Sequence, residues 1–293
     1  MLKKDDTLPL EVIVAPAVPP PVSRRERFLA DASLLVTAIL WGVNIPVVKY
    51  ATGDVDPLVF NATRMCLSTV VLATFALIES RWVDQPAERF SKSRFVAFAL
   101  ISGLWYPLIF MFGIDRTTAG NTALLLSSMP LWTAVISAVF IRERLPLLSW
   151  IAMMIAFLGT GVIVVAGGKV SLSAANFTGN LLILSSAMLW ASGTVISGPL
   201  LKQISPLRLA FFSSLLTTPL HLAIVSPKLA AAMPKLAEWD NFVALFYSGV
   251  FSTGIAYVTW HVGVRRLGGS HASVYQNVVT LVAVLGGWIG LGE

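Results

Sequence analysis

Ser273, Gln276, Asn277 and Thr280 recur at i, i+3, i+4 and i+7 inside an apolar stretch near the C-terminal end, with Tyr275 beside them. On a helix that spacing lines hydroxyls and amides along one face. Three other apolar stretches carry a similar stripe: Thr37, Trp41 and Asn44; Ser186, Trp190, Gly193 and Ser197; and Thr253, Tyr257 and Trp260, with His261 adjacent. Hydrogen-bonding groups set among aromatic faces suit a cavity that binds a small zwitterion with an apolar side chain. Tyr106, Asn121 and Ser128 are further candidates for its lining. The rival reading is that small and polar residues join membrane helices to one another, which fits Ser186, Ser197 and Ser273 better. Asn44, Gln276 and Asn277 fit both readings. For the Trp and Tyr residues the rival is an interfacial aromatic belt, but Trp41 and Trp190 stand near the middle of their stretches.

The charged residues carry a second set of expectations. Arg64 lies about seven residues into an apolar stretch, roughly 10 Å along a helix. It could attract a substrate carboxylate; the preferred expectation is that it snorkels to the surface and pairs with Asp54 or Asp56. Lys49 reads as a gate or interface residue. Glu143 stands between Arg142 and Arg144 just before Pro146. A helix N-terminus and flanking guanidiniums would stabilise it there, with a cytoplasmic gate as its second reading. All fifteen Asp and Glu residues fall in tails, connections or stretch ends. A proton-driven pump usually places an acid on its pathway. The sequence therefore leans towards facilitated export, with His261, His271 or an edge carboxylate as the remaining coupling groups.

Enzyme chemistry finds little support. There is no Gly-rich phosphate loop, no His/Asp/Glu metal cluster, and no motif pairing Ser with His as nucleophile and base. The alternative function is a membrane-embedded enzyme on lipid-linked substrates, using His261, Arg64 and Glu143; a membrane scaffold or receptor is third. The single cysteine, Cys66, excludes an intrachain disulfide. No metal and no cofactor are expected. The expected partners are a small-molecule substrate and the lipid bilayer, with the chain acting as a monomer or a homodimer. Lys and Arg are scattered singly, so nucleic acid is not a partner.

The elements that must position these residues follow from composition. Hydrophobic residues make up 56% and charged residues 12% of the chain, against about 25% charged in a soluble domain. Nine apolar stretches, near 30–50, 57–79, 95–114, 118–141, 147–166, 177–200, 206–226, 241–262 and 270–291, are each about long enough to cross a bilayer as a helix. Only helices satisfy the backbone of such isolated spans in lipid. Residues 1–28, polar and proline-rich and then basic, read as a disordered cytoplasmic tail. If the spans alternate from a cytoplasmic N-terminus, fifteen Lys and Arg fall inside and five outside, the bias of a membrane protein in that orientation.

The spans repeat. WGVNIPVVKYATGDVDP, from Trp41 to Pro57, returns as WASGTVISGPLLKQISP, from Trp190 to Pro206, displaced by 149 with no gap. Gly113, Arg116, Leu131 and Glu143 recur 150 residues later as Gly263, Arg266, Leu281 and Glu293. Five spans per unit would turn the second unit upside down, and inverted units of this kind build transporters. A fifth span follows Glu143 whereas the chain stops at Glu293, so the sequence reads as a ten-helix, all-α polytopic membrane protein lacking its tenth helix.

The pattern Trp41-Gly42, Lys49, Pro57 and Arg64, the run GIDRTTAGNTALLLSSMPLWTAVISAVFIRERL, and the run GIAYVTWHVGVRRLGGSHASVYQNVVTLVAVLGGWIGLGE resemble EamA-type members of the drug/metabolite transporter superfamily. Pro130 and Glu143 match that family's helix-4 pattern and Glu293 its second copy, while Thr280 stands where the second copy usually has proline. The resemblance implies two inverted five-helix repeats, here 29–168 and 169–293, and export of amino acids or similar metabolites through a central cavity. Glu143 and Glu293 would serve there as gate or structural charges, beside Lys49 and Arg64.

Overall fold

The computed structural model describes residues 23–82, 90–166 and 176–291. α1 is Arg24–Ala51, α2 Pro57–Trp82 and α3 Lys92–Phe98, which continues through a π-helical segment, Ala99–Trp105, into α4, Tyr106–Ile114. α5 (Ala119–Leu126) and α6 (Met129–Phe140) form the fourth span, and α7 is Leu147–Ala166. The second half repeats this order: α8 (Phe177–Leu201), α9 (Pro206–Leu236), and α10 (Trp239–Phe246) passing through a π segment, Tyr247–Ile255, into α11 (Ala256–Leu267). α12 (Gly269–Val274) and α13 (Gln276–Leu291) complete it.

Local chemistry sets the helix ends. Ser23 caps α1 in a capping box with Glu26, each side chain meeting the other's backbone N–H. The helix therefore starts at Arg24, inside the segment expected to be tail; residues 1–22 and Glu293 lie outside the described residues. Asp56 caps α2, its Oδ1 accepting the N–H groups of Leu58 and Val59. Among the described residues seven helical spans, α1, α2, α3–α4, α5–α6, α8, α9 and α10–α11, are long and apolar enough to cross a membrane. On α7, Leu148, Ile151, Ile155, Leu158 and Val162 all face outwards, a stripe that suits lipid and would be costly in water.

Most packing joins one half to the other. α2 lies against α9, its counterpart in the repeat, and runs antiparallel to it. Asp56 meets Lys228 at 2.8 Å at one end, Thr69 meets Thr218 at 2.8 Å in the middle, and Glu79 meets Arg208 at 3.8 Å at the other. The halves are thus inverted, as the odd span count predicts. α1 packs on α11 as α8 packs on α4, and α1 on α13 as α8 on α6. Each contact is returned when the halves are exchanged. The two π segments also correspond. Such segments release backbone groups from the α-helical ladder and often mark functional sites.

Close approach is exacting where α8 begins. A Cβ on Gly179 would strike the carbonyl of Arg116 and the amide of Thr117, which are backbone atoms. Gly179→Ala should therefore destabilise the fold by about 1–3 kcal/mol, read as a fall in the thermal unfolding midpoint in detergent; an unchanged midpoint would contradict the packing described.

At the other helix pair, burial works against ionisation of Asp56. The Lys228 ammonium and the two capping N–H groups outweigh it and hold the carboxyl below its usual range. Stability from this group is present above the unfolded carboxylate pKa of about 4 and is lost as pH falls through the lower folded value. Lys228 is mostly exposed, so screening keeps the pair below about 1 kcal/mol. Asp56→Asn should lower the unfolding midpoint slightly at pH 7, and the difference should shrink as the medium is acidified to about pH 3.

Candidate solute cavity between the two halves

A cavity of about 830 Å³ lies between the halves, within the range of sites for small organic molecules. Its wall draws on α1, α2, α4, α5, α6, α8, α9, α11 and α13 and on both π segments. One end reaches the connections at Thr52, Gly53, Asp115 and Thr117. The other ends on an aromatic floor. Trp190 lies 5.0 Å edge-on from Trp41, 5.0 Å from Tyr106, 5.6 Å from Trp260 and 6.2 Å from Tyr257, measured between ring centroids. The repeat thus brings Trp41 and Trp190 together. Beyond the floor two polar links join the halves. Asp31 accepts hydrogen bonds from the Tyr275 hydroxyl, at 2.9 Å, and from His271 Nε2, at 3.1 Å. Glu143 Oε2 accepts from Ser270 Oγ at 2.7 Å.

The wall is apolar with a few aimed polar groups. Trp41, Asn44, Tyr106, Trp190, Tyr257 and Gln276 line it, and Lys49 stands nearer the mouth. Asn44 Oδ1, Ser68 Oγ, Ser213 Oγ and Trp190 Nε1 are buried on this wall without a protein hydrogen-bond partner. Buried polar atoms left unpaired cost free energy; these four lie closed off within the wall in this state, and a change of side-chain rotamer would bring them to a solute or water. Trp41 Nε1, by contrast, donates to the carbonyl of Ser252 in the second π segment at 2.8 Å.

Several sequence candidates fall elsewhere. Trp260 and His261 sit behind the floor, with His261 Nδ1 2.6 Å from the carbonyl of Tyr257. Asn121 Nδ2 donates to Asn180 at 2.9 Å, and Ser128 Oγ accepts from Trp132 Nε1 at 3.1 Å; both serve helix contacts away from the wall. Asn277 is off the wall, its Oδ1 buried and unpartnered. Tyr275 belongs to the sealed end. Glu143 is held by Ser270 across the halves, a partner that its expected setting between two arginines and ahead of a helix did not include.

Arg64 is the main correction. It does not snorkel: it is 8% exposed and lines the cavity. Neither expected partner pairs with it: no ion pair joins Arg64 to Asp54 among the described residues, and Asp56 is taken by Lys228. Arg64 instead donates through Nε and Nη2 to Asn61 Oδ1, at 3.1 and 2.9 Å, and through Nη1 to Ser248 Oγ at 3.3 Å. Asn61 in turn lies 3.3 Å from His221 Nδ1, and His221 Nε2 lies 2.8 Å from the carbonyl of Gly103. Sequence reasoning missed Asn61, Ser68, Ser213 and His221. The signal was present: Asn61, Arg64 and Ser68 share one face of α2, and Ser213, Thr217 and His221 share one face of α9.

The EamA-like transporter family model matches residues 28–165 and 177–293. The chain is 23% identical over 262 residues to the uncharacterized transporter YoaV of Bacillus subtilis (strain 168), covering 89% of this chain and 88% of that one. It is 23% identical over 266 residues to a probable terminal-alkyne amino-acid exporter of Streptantibioticus cattleyicolor, covering 89% and 85%. A solved crystal structure with 22% sequence identity superposes with a TM-score of 0.69 over 88% of this chain and 90% of that one, a likeness of fold.

Proposed function

We propose, on the premise that this chain belongs to the EamA-like transporter family, that it exports amino acids or related amphipathic metabolites by alternating access through the cavity between its halves. The chain is a multi-pass membrane transporter; the substrate and the direction are our reading. The observation that carries it is a cavity open at one end and closed at the other by aromatic rings and cross-half hydrogen bonds. Closing the mouth and parting Glu143 from Ser270 would pass a solute across. The similarity to an amino-acid exporter, the aromatic floor and the amide and hydroxyl residues of the wall support this solute class. We place the N-terminus in the cytoplasm of a bacterial inner membrane from the Lys and Arg bias, which makes the open mouth the outer one. The repeats then divide as 29–168 and 169–293, and the work is transport rather than catalysis.

Proteoliposomes loaded with unlabelled phenylalanine should accumulate labelled phenylalanine transiently by counterflow. Leucine, isoleucine and tyrosine should serve in its place to differing degrees. No exchange with any amino acid or aromatic acid would overturn this reading.

A further inference from the structure

We propose that Arg64, positioned by Asn61 and His221, is an anion-selecting subsite of the cavity, and that the solute it selects is an amphipathic carboxylate whose amino group is dispensable. The inference rests on the reading of the cavity as a solute path. It goes further in assigning the charge of the solute and the residues that read it.

The first support is the balance of charge on the wall. Among the described residues the cavity is lined by three charged side chains, Lys49, Arg64 and Asp115. Asp115 is exposed at the mouth, 3.5 Å from Arg116, and Lys49 is likewise exposed. The deep wall therefore holds one guanidinium and no acid to receive an ammonium group. Among the described residues no carboxylate lies within salt-bridge distance of Arg64. A buried cation without a counter-ion is costly, and a carboxylate arriving in the cavity supplies one. Guanidinium is also the side chain best shaped to take a carboxylate through two parallel hydrogen bonds.

The second support is how Arg64 is held. Asn61 Oδ1 takes Nε and one hydrogen of Nη2, and Ser248 takes one of Nη1. A guanidinium has five N–H groups, so one on Nη1 and one on Nη2 remain for a solute. The Asn61 amide can present its oxygen to Arg64 only if its Nδ2 faces His221. His221 Nδ1 is then the acceptor, and Nε2 carries the proton donated to the carbonyl of Gly103. The α-helical donor to that carbonyl would be residue 107, and Pro107 has no N–H; His221 Nε2 supplies a donor there. Asn61 is fully buried and His221 is 1% exposed. Pro107, His221 and Asn61 thus fix Arg64 before any solute arrives, which lowers the ordering cost of binding.

The test uses the purified full chain and four probes of one shape: phenylalanine, 3-phenylpropionate, the neutral 3-phenylpropanamide and the cationic phenethylamine. Quenching of the wall tryptophans reads binding. The wild type should bind 3-phenylpropionate at least about tenfold more tightly than the amide or the amine, and within about threefold of phenylalanine. Arg64→Gln should erase the preference for the acid and leave the amide unchanged, while Arg64→Lys should retain part of it. Asn61→Leu and His221→Leu should weaken the acid several-fold without moving the amide; a purely structural role would weaken both. Equal binding of acid and amine, or a preference that survives Arg64→Gln, would overturn the subsite. If none of the four binds, the amphipathic-solute reading of the cavity falls and takes the subsite with it.

Discussion

Cross-linking position 143 to position 270 should stop transport. Glu143 closes the first half's fourth span onto Ser270, at the head of α12, across 2.7 Å. Alternating access requires this contact to part when the cavity turns to the other side of the membrane. A chain with Cys66 replaced by alanine and cysteines at 143 and 270, joined through mixed disulfides by a short bis-methanethiosulfonate, should lose about nine-tenths or more of its counterflow, because hinge closure is all-or-none. Reduction should restore it. Neither single-cysteine chain should respond. Solute binding should survive, since the open mouth is untouched. Undiminished flux through the joined chain would mean that this end does not open during transport.

Trp190→Ala should have the second large effect. Trp190 touches Trp41, Tyr106, Trp260 and Tyr257, so the floor loses the ring common to these contacts. Truncating a buried aromatic to alanine costs about 3–5 kcal/mol, and aromatic pairs add about 0.5–1.5 kcal/mol beyond burial. Because the same ring faces the cavity, binding of an aromatic solute should also weaken by about tenfold or more. Trp190→Phe keeps a ring and should recover most of the stability. Thermal unfolding and fluorescence titration read the two effects separately. A Trp190→Ala chain as stable as the wild type would show that the floor is not a packed unit.

The spans and their pairing were legible because hydropathy and the 149-residue displacement are properties of the chain itself. The encounter of Trp41 with Trp190 followed from the displacement together with their mid-span depth, since equivalent positions of an inverted pair meet only where both lie close to the axis. The interior breaks were not legible. Ser127 and Ser128 between α5 and α6, and Tyr275 between α12 and α13, do not differ in hydropathy from residues that helices absorb. The π segments have no sequence period of their own; Pro107 hints at the first only through its missing N–H. α9 runs to Leu236, ten residues past its expected end, although Pro219, Pro227 and Pro234 lie inside it.

Arg64 was misplaced for a different reason. Depth along a helix gives the distance to the surface but not which neighbour fills the intervening space. Ser248, from a span far along the sequence, and Asn61, one turn earlier, hold the guanidinium inward. His221 was not legible because its companions on that face of α9, Ser213 and Thr217, are hydroxyl residues of the kind that simply join membrane helices.

The most direct test is a pair of distances measured by electron paramagnetic resonance in lipid. Spin labels at Asp54 and Asp115 bracket the open mouth, and labels at Arg144 and Arg265 bracket the sealed end; all four positions are exposed. Across conditions that favour each state, solute present or absent and either side acidified, the two distances should change in opposite directions, the mouth narrowing as the other end widens. Distances that stay fixed, or that rise and fall together, would contradict a cavity exposed to each side in turn.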